Sequence, residues 1–206
     1  MIPSATNPAI YKTVREIVDP KHTVLVVMDV QVQLFQLMFN KQEFIQSLKP
    51  LVESARAHDV PIIYLKTDHL PREWALSSNV YTAMRNFNFT DPEKFNAVMD
   101  HGDICPEVTP GKDDWVVSVH SPNLFIQSHI EHILRGKGIE TVLMTGISAD
   151  FGISTMSRDS SCRGFYTIVI RDCVSSSRAE LYTASMKVLE RNVLVMPSAE
   201  IMKEWR

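Results

Sequence analysis

Short apolar runs recur along the chain at intervals that suit one architecture. The first, TVLVVM at residues 23–28, is β-branched and free of polar side chains, the pattern of a strand buried on both faces of a parallel sheet. PIIYLK (61–66), WVVSV (115–119), TVLMT (141–145), YTIVI (166–170) and NVLVM (192–196) repeat that pattern, so six strands are expected. Between the first two, NKQEFIQSLKPLVESARAHD puts Phe44, Leu48, Leu51, Val52 and Ala55 on one helical face, with Asn40 and Glu43 suited to cap its start. Pro50 is expected to kink or restart that helix. SHIEHILRGKG gives a second stripe, Ile126, Ile130, Ile133 and Leu134, ahead of the stop signals Gly136 and Gly138, and RAELYTASMKVLERN gives a third helix. Alternating strands and helices predict an α/β fold: a parallel sheet with helices on both faces.

One stretch breaks the rhythm. From Pro71 to Asp114, about forty residues rich in Asn, Asp and aromatics separate the second and third strands. An insertion of that length is usually functional, here a lid or an oligomer contact. Trp74, Tyr81, Phe87 and Phe89 within it are exposed unless something covers them, so a homo-oligomer is expected. Otherwise the 206 residues read as a single domain, with no internal repeat.

Composition adds exclusions. With 45% hydrophobic and 22% charged residues the chain is neither disordered nor low in complexity. Lys plus Arg number 21 against 24 for Asp plus Glu, and a net charge of −3 offers no footprint for nucleic acid or an anionic membrane. The opening MIPSATNPAIYKTVREIVDP mixes charges with proline and reads as neither signal peptide nor anchor, so a cytoplasmic protein is expected. Cys105, Cys162 and Cys173 form no CxxC pair, which gives no basis for a disulfide framework or a structural zinc site.

In an open α/β sheet, ligands bind beyond the carboxyl ends of the strands, so the residues there are the candidates. Asp29 directly follows six apolar residues; it is either an acid/base group with a raised pKa or a loop-bonding cap. Asp68 and His69 could be two metal ligands, but a third is missing nearby and a solvated turn before Pro71 is favoured. His120 either serves an oxyanion or proton or is a satisfied loop histidine. TGISADFG reads as strand, tight turn and helix start, whose amides can converge on an anion. With no GxGxxG and no GxxxxGK[ST], a nucleotide-binding domain is disfavoured, and no cofactor or metal is expected.

These segments together resemble the isochorismatase-like hydrolase superfamily from Thr23 to about Trp205. VLVVMDVQVQLF is similar to the opening strand that ends in a catalytic Asp followed by Gln, here Asp29 and Gln31. PGKDDWVVSVHSPNLF resembles the segment carrying a catalytic Lys six residues before a Phe, here Phe125. TGISADFGISTMSRDSSCRGFYTIVIRDCVSSS resembles the strand, nucleophile turn, helix and following strand. The resemblance implies a doubly wound, six-stranded parallel sheet in the order 3-2-1-4-5-6. It also implies a Cys–Lys–Asp mechanism through a thioester, a cis peptide at Ile147–Ser148, and oxyanion donors at the amides of Ser148 and Gly152.

Two of the three catalytic positions depart from that pattern, since the nucleophile position holds Gly152 and the lysine position holds Val119. Glycine has no atom to attack with, and Cys162 lies ten helical residues away, roughly 15 Å along the axis. Cys105, ahead of the third strand, is expected near the wrong end of the sheet; Cys173 alone could approach. Family members with glycine at this position use the Asp to protonate a vinyl ether while water completes the hydrolysis. The expected function is therefore a non-covalent hydrolase of a small amide or vinyl ether. Asp29, His120 and the Gly152 turn are its catalytic candidates, and Gln31, Ser148, Val119 and Phe125 line the substrate. The alternative is an inactive family member that binds a metabolite or partner protein.

Overall fold

A computed structural model describes residues 10–126 and 128–206. Part of the amino-terminal reading, on residues 1–9, lies outside the described residues. Six parallel strands form one sheet: β1 Thr23–Met28, β2 Ile62–Thr67, β3 Trp115–Val119, β4 Thr141–Ile147, β5 Tyr166–Ser175 and β6 Leu194–Met196, ordered β3-β2-β1-β4-β5-β6. The helices are α1 Val14–Ile17, α2 Val32–Gln36, α3 Lys41–Ala57, α4 Ser77–Phe87, α5 Phe95–Val98, α6 Ile130–Gly136, α7 Ser154–Cys162, α8 Ala179–Leu189 and α9 Ser198–Glu204.

Alternation within the central strands sorts their side chains to two cores. Leu25 and Val27 of β1 pack with Phe44, Leu48 and Leu51 of α3 and with Ile201 of α9. Val24, Val26 and Met28 pack on the other face with Ile130 of α6, Met156 of α7 and Met186 of α8. Every residue of β1 and β4 is buried, as their unbroken apolar runs require. Strand order reverses between β1 and β4, so their carboxyl ends flank the crevice where such sheets bind ligands.

Several local expectations change. Helix α3 runs unbroken through Pro50, because Pro50 lies on the exposed side, where water can satisfy the carbonyl left without a partner. Asn40 stands at the N-cap without capping; its side chain instead accepts a hydrogen bond from Ser175 Oγ. Ile126 precedes α6 and is exposed, so the stripe begins at Ile130. Strand β5 continues past Ile170 through a register shift opposite Met144 and Gly146, which puts Asp172 and Cys173 within the strand rather than at its end.

The segment between β2 and β3 builds a small core of its own from Ala83, Phe95 and Met99. Phe89 packs against it and is half-buried, whereas Trp74, Tyr81 and Phe87 remain exposed. The segment then returns to the sheet. Ile104 bridges Gln31, and the Cys105 amide donates to the Val30 carbonyl at 2.9 Å. Cys105 therefore lies at the carboxyl end of β1, contrary to the expectation from its place in the sequence.

Candidate active site

Asp29 is the first residue past β1, where the chain turns with φ 52°, a left-handed conformation that Asp tolerates better than most residues. Its amide donates to Leu65 O at 2.8 Å, which pins the turn to the end of β2. The carboxyl is buried, and Oδ1 accepts two bonds from one residue: Thr67 N at 3.0 Å and Thr67 Oγ1 at 2.7 Å. Both donors favour the carboxylate, yet burial outweighs them and, with a smaller contribution from the charge of Asp68, raises the Asp29 pKa to about 7. With Oδ1 occupied by donors, the proton of the neutral form belongs on Oδ2. Lys66, the residue before Thr67, is held at 3.3 Å by both Asp68 and Asp103.

Gln31 completes the frame, since its Oε1 accepts from Thr67 N at 3.0 Å and its Nε2 donates to Gly102 O at 2.8 Å. A single side-chain amide thus ties β1, β2 and the inserted segment together beside Asp29. Nothing in the sequence pattern singles out Thr67; a threonine ending a strand is ordinary, and only the register of β1 on β2 brings it to the carboxyl.

Across the crevice, β4 ends in a cis peptide between Ile147 and Ser148, followed by a π-helical turn, Ala149–Ile153, that leads into α7. Ser176 Oγ donates to Asp150 at 2.6 Å and anchors the turn to the segment before α8. Gly152 is buried, and a Cβ built on it would lie 2.4 Å from Met28 Cε and 3.1 Å from Met28 Sδ. The thioether tip therefore occupies the space that a side chain at position 152 would need. Gly152→Cys should lower stability by about 1–3 kcal/mol, as overpacking does, and Met28→Ala should cost less in that chain than in the wild type, because it also removes the clash. Urea unfolding of the single and double variants tests this; a wild-type midpoint for Gly152→Cys would mean that the Met28 tip swings aside freely.

Val119 is buried with Leu65, Leu124 and Phe125, so an apolar cluster stands where the resemblance implies a lysine. His120 is exposed, and its Nδ1 is engaged by the Asp68 carbonyl. His69, read from the sequence as part of a solvated turn, is instead half-buried against His101, with ring centroids 4.8 Å apart. Sequence proximity could not reveal this pair, because the second ring arrives on the inserted segment, 32 residues later. Among the described residues no group of three or more His, Cys, Asp or Glu side chains is arranged to hold a metal ion. Cys173 packs on the α3 face, opposite Gly152, and burial pushes its thiol well above the usual range; burial likewise raises Cys105 to about 11.

Residues 23–200 match the family model of the isochorismatase domain. The chain belongs to the isochorismatase family. A secreted isochorismatase effector of Verticillium dahliae is 26% identical over 155 residues, 74% of this chain and 72% of that protein. A maleamate amidohydrolase of Pseudomonas putida is 28% identical over 82 residues, 40% of this chain and 38% of that one. The crystal structure of a cysteine hydrolase from Pseudomonas syringae superposes with a TM-score of 0.75 at 19% identity, covering 92% of this chain and 94% of the other. Isochorismatase membership thus agrees with the strand order.

Proposed function

We propose that this chain is a non-covalent hydrolase of a small molecule carrying an amide or a vinyl ether, with Asp29 as the general acid. The observation that carries the reading is the buried Asp29 carboxyl, fixed through one oxygen by Thr67 and holding its proton up to about pH 7. For an amide, water adds to the carbonyl carbon and the oxyanion is held by the Ser148 and Gly152 amides. Asp29 Oδ2–H then protonates the nitrogen as the C–N bond breaks, and the carboxylate regains a proton from the new carboxylic acid. For a vinyl ether, the same proton goes to carbon, water adds to the resulting oxocarbenium carbon and gives up a proton that restores the Asp29 carboxyl, and the hemiketal breaks its C–O bond to leave a carbonyl and an alcohol. Gln31 positions Thr67, Val119 and Phe125 wall the substrate, and His120 supplies a polar contact at the rim. No metal or cofactor enters this scheme. The Pseudomonas putida relative, a maleamate amidohydrolase, supports the amide class.

The competing reading is binding without turnover, favoured by the Met28 tip in the nucleophile's space. One screen separates the two: turnover of any amide or vinyl ether that is lost in Asp29→Asn and kept after iodoacetamide treatment supports the acid mechanism. Binding with no turnover supports the alternative.

The same reading includes self-association through the exposed Trp74, Tyr81 and Phe87. Light scattering should find a dimer or larger at micromolar concentration, and a monomer there would remove this part of the proposal. Three unpaired cysteines suit a reducing compartment such as the cytoplasm.

A further inference from the structure

A cavity of about 310 Å³ opens beside the candidate site, between the end of β2 and the inserted segment. Thr67, whose hydroxyl holds Asp29, forms part of its wall, together with Asp68, His69, Asn96, Asp100 and His101. No lysine or arginine lines it. His101 is 7% exposed, and neither of its ring nitrogens has a hydrogen-bond partner among the described residues; His69 Nε2 is likewise buried and unpartnered. Buried polar atoms are almost always paired, so three such nitrogens beside one cavity point to a ligand that supplies the missing bonds.

The charge around them selects that ligand. Asp68 and Asp100 both line the cavity, and the Gly102 amide donates to one Asp100 oxygen at 3.0 Å; Lys66 bridges Asp68 to Asp103, His120 meets the Asp68 carbonyl through Nδ1, and Arg72 is paired with Glu93 at 2.7 Å. An anion here would meet two carboxylates with no unpaired lysine or arginine among the described lining residues to offset them. Asn96 has already used its carbonyl oxygen on the Arg72 amide at 2.8 Å. The acceptors left are carboxylate oxygens and imidazole lone pairs, a set that matches a group rich in N–H donors.

We propose that this cavity is a recognition subsite for a cationic, N–H-rich head group, an ammonium or an amidinium, of the molecule on which Asp29 acts. The proposal rests on the acid reading for its last clause only. Burial and the neighbouring ring keep His101 neutral near pH 7, its pKa lowered to about 4, so a lone pair is available to the ligand. The cation would sit against the wall that Thr67 shares with Asp29, and the rest of the molecule would extend toward the carboxyl. The substrate class then differs from carboxylate-bearing amides, for which a lysine or arginine would be the natural partner.

The test uses the full chain and three probes of one shape: benzamidine, benzamide and benzoate. Isothermal titration and the ring Cε1–H resonances of the histidines are recorded at pH 7.5, with His69 and His101 assigned through His69→Gln and His101→Gln. Benzamidine should bind saturably and shift both rings, and benzoate should do neither. Asp100→Asn should weaken benzamidine about tenfold or more, the loss of one charge-assisted bond, while Asp29→Asn should leave its binding intact. Benzoate binding as tightly as benzamidine, or benzamidine leaving both rings unmoved, overturns the subsite on the wild-type protein alone, whatever the variants do. If Asp29→Asn retains turnover while benzamidine still binds, the acid mechanism fails and the subsite stands; the converse result removes the subsite and leaves the mechanism.

Discussion

Asp29→Asn should lower turnover sharply and at the same time make the protein more stable in alkaline solution. The two effects share one cause. In the folded chain burial raises the Asp29 pKa from its ordinary value of 3.8 to about 7, so folding favours the protonated form. A group whose pKa is raised on folding contributes its stability fully below the unfolded value and loses it as pH rises through the folded value. The window therefore runs from about pH 4 to about pH 7, and above it a charge is held in a buried site. Across that window the preference for the neutral carboxyl amounts to roughly 4 kcal/mol. Asparagine keeps an oxygen for the Thr67 amide and hydroxyl and never ionises, so its advantage over Asp should grow between pH 5 and pH 8 and then level off. Denaturant titrations of both proteins at pH 5, 6.5 and 8 measure it; a difference that stays constant with pH would show that Asp29 is already ionised at pH 5.

For activity the sign is opposite. In the proposed mechanism the protonated carboxyl is the acid, so kcat should fall on the alkaline side through about pH 7 in the wild type. Asparagine should lower it by ~10²- to 10⁴-fold, the usual cost of a lost acid/base group. A site that sacrifices alkaline stability to hold a proton is the pattern expected of function rather than packing. Retention of wild-type kcat by Asp29→Asn would return Asp29 to the alternative left open by the sequence, a loop-bonding cap.

How much of this was legible in the sequence follows from the range over which each signal acts. Apolar runs report burial directly, so five of the six strands begin within one residue of expectation and β6 begins two residues late. Asp29 was legible for the same reason, because a carboxyl at the end of such a run has nowhere solvated to go. Helix α3 was legible as a face but not in its detail: Pro50 ought to break a helix, and only its position on the exposed side spares it. The surroundings of Asp29 were hidden. Thr67 is set by register, and His101, Gly102 and Cys105 come from a forty-residue segment whose return path no local periodicity encodes. The resemblance supplied what spacing could not, the correspondence between the turn after β4 and the end of β1. It could not foresee Met28, whose thioether tip lies where a side chain at Gly152 would begin.

The most severe structural change should come from Gly146→Ala. Gly146 sits in β4 directly opposite Met28, with φ 118°, a conformation that L side chains rarely adopt. A Cβ there would lie 2.0 Å from the Met28 carbonyl oxygen, 2.7 Å from its nitrogen and 2.8 Å from its carbonyl carbon. These are backbone atoms of the central strand, so no side chain can swing aside to relieve the contact. β1 and β4 would have to part at the point where one leads into Asp29 and the other into the cis peptide and the Ser148–Gly152 turn. The neighbouring Thr145 tightens the constraint, because its hydroxyl donates to Val26 O at 2.8 Å across the same pair of strands. A clash with backbone combined with a forbidden φ belongs to the rare class of substitutions costing more than about 4–5 kcal/mol. That is a large fraction of the roughly 5–15 kcal/mol by which a domain is stable. The variant is expected to be largely insoluble, or to melt without cooperativity, and any soluble fraction should bind no ligand, since both halves of the site hang from this one junction. A cooperative transition within about 1 kcal/mol of the wild type would mean that the strands separate easily here and that the carboxyl ends of β1 and β4 are not held as one rigid unit.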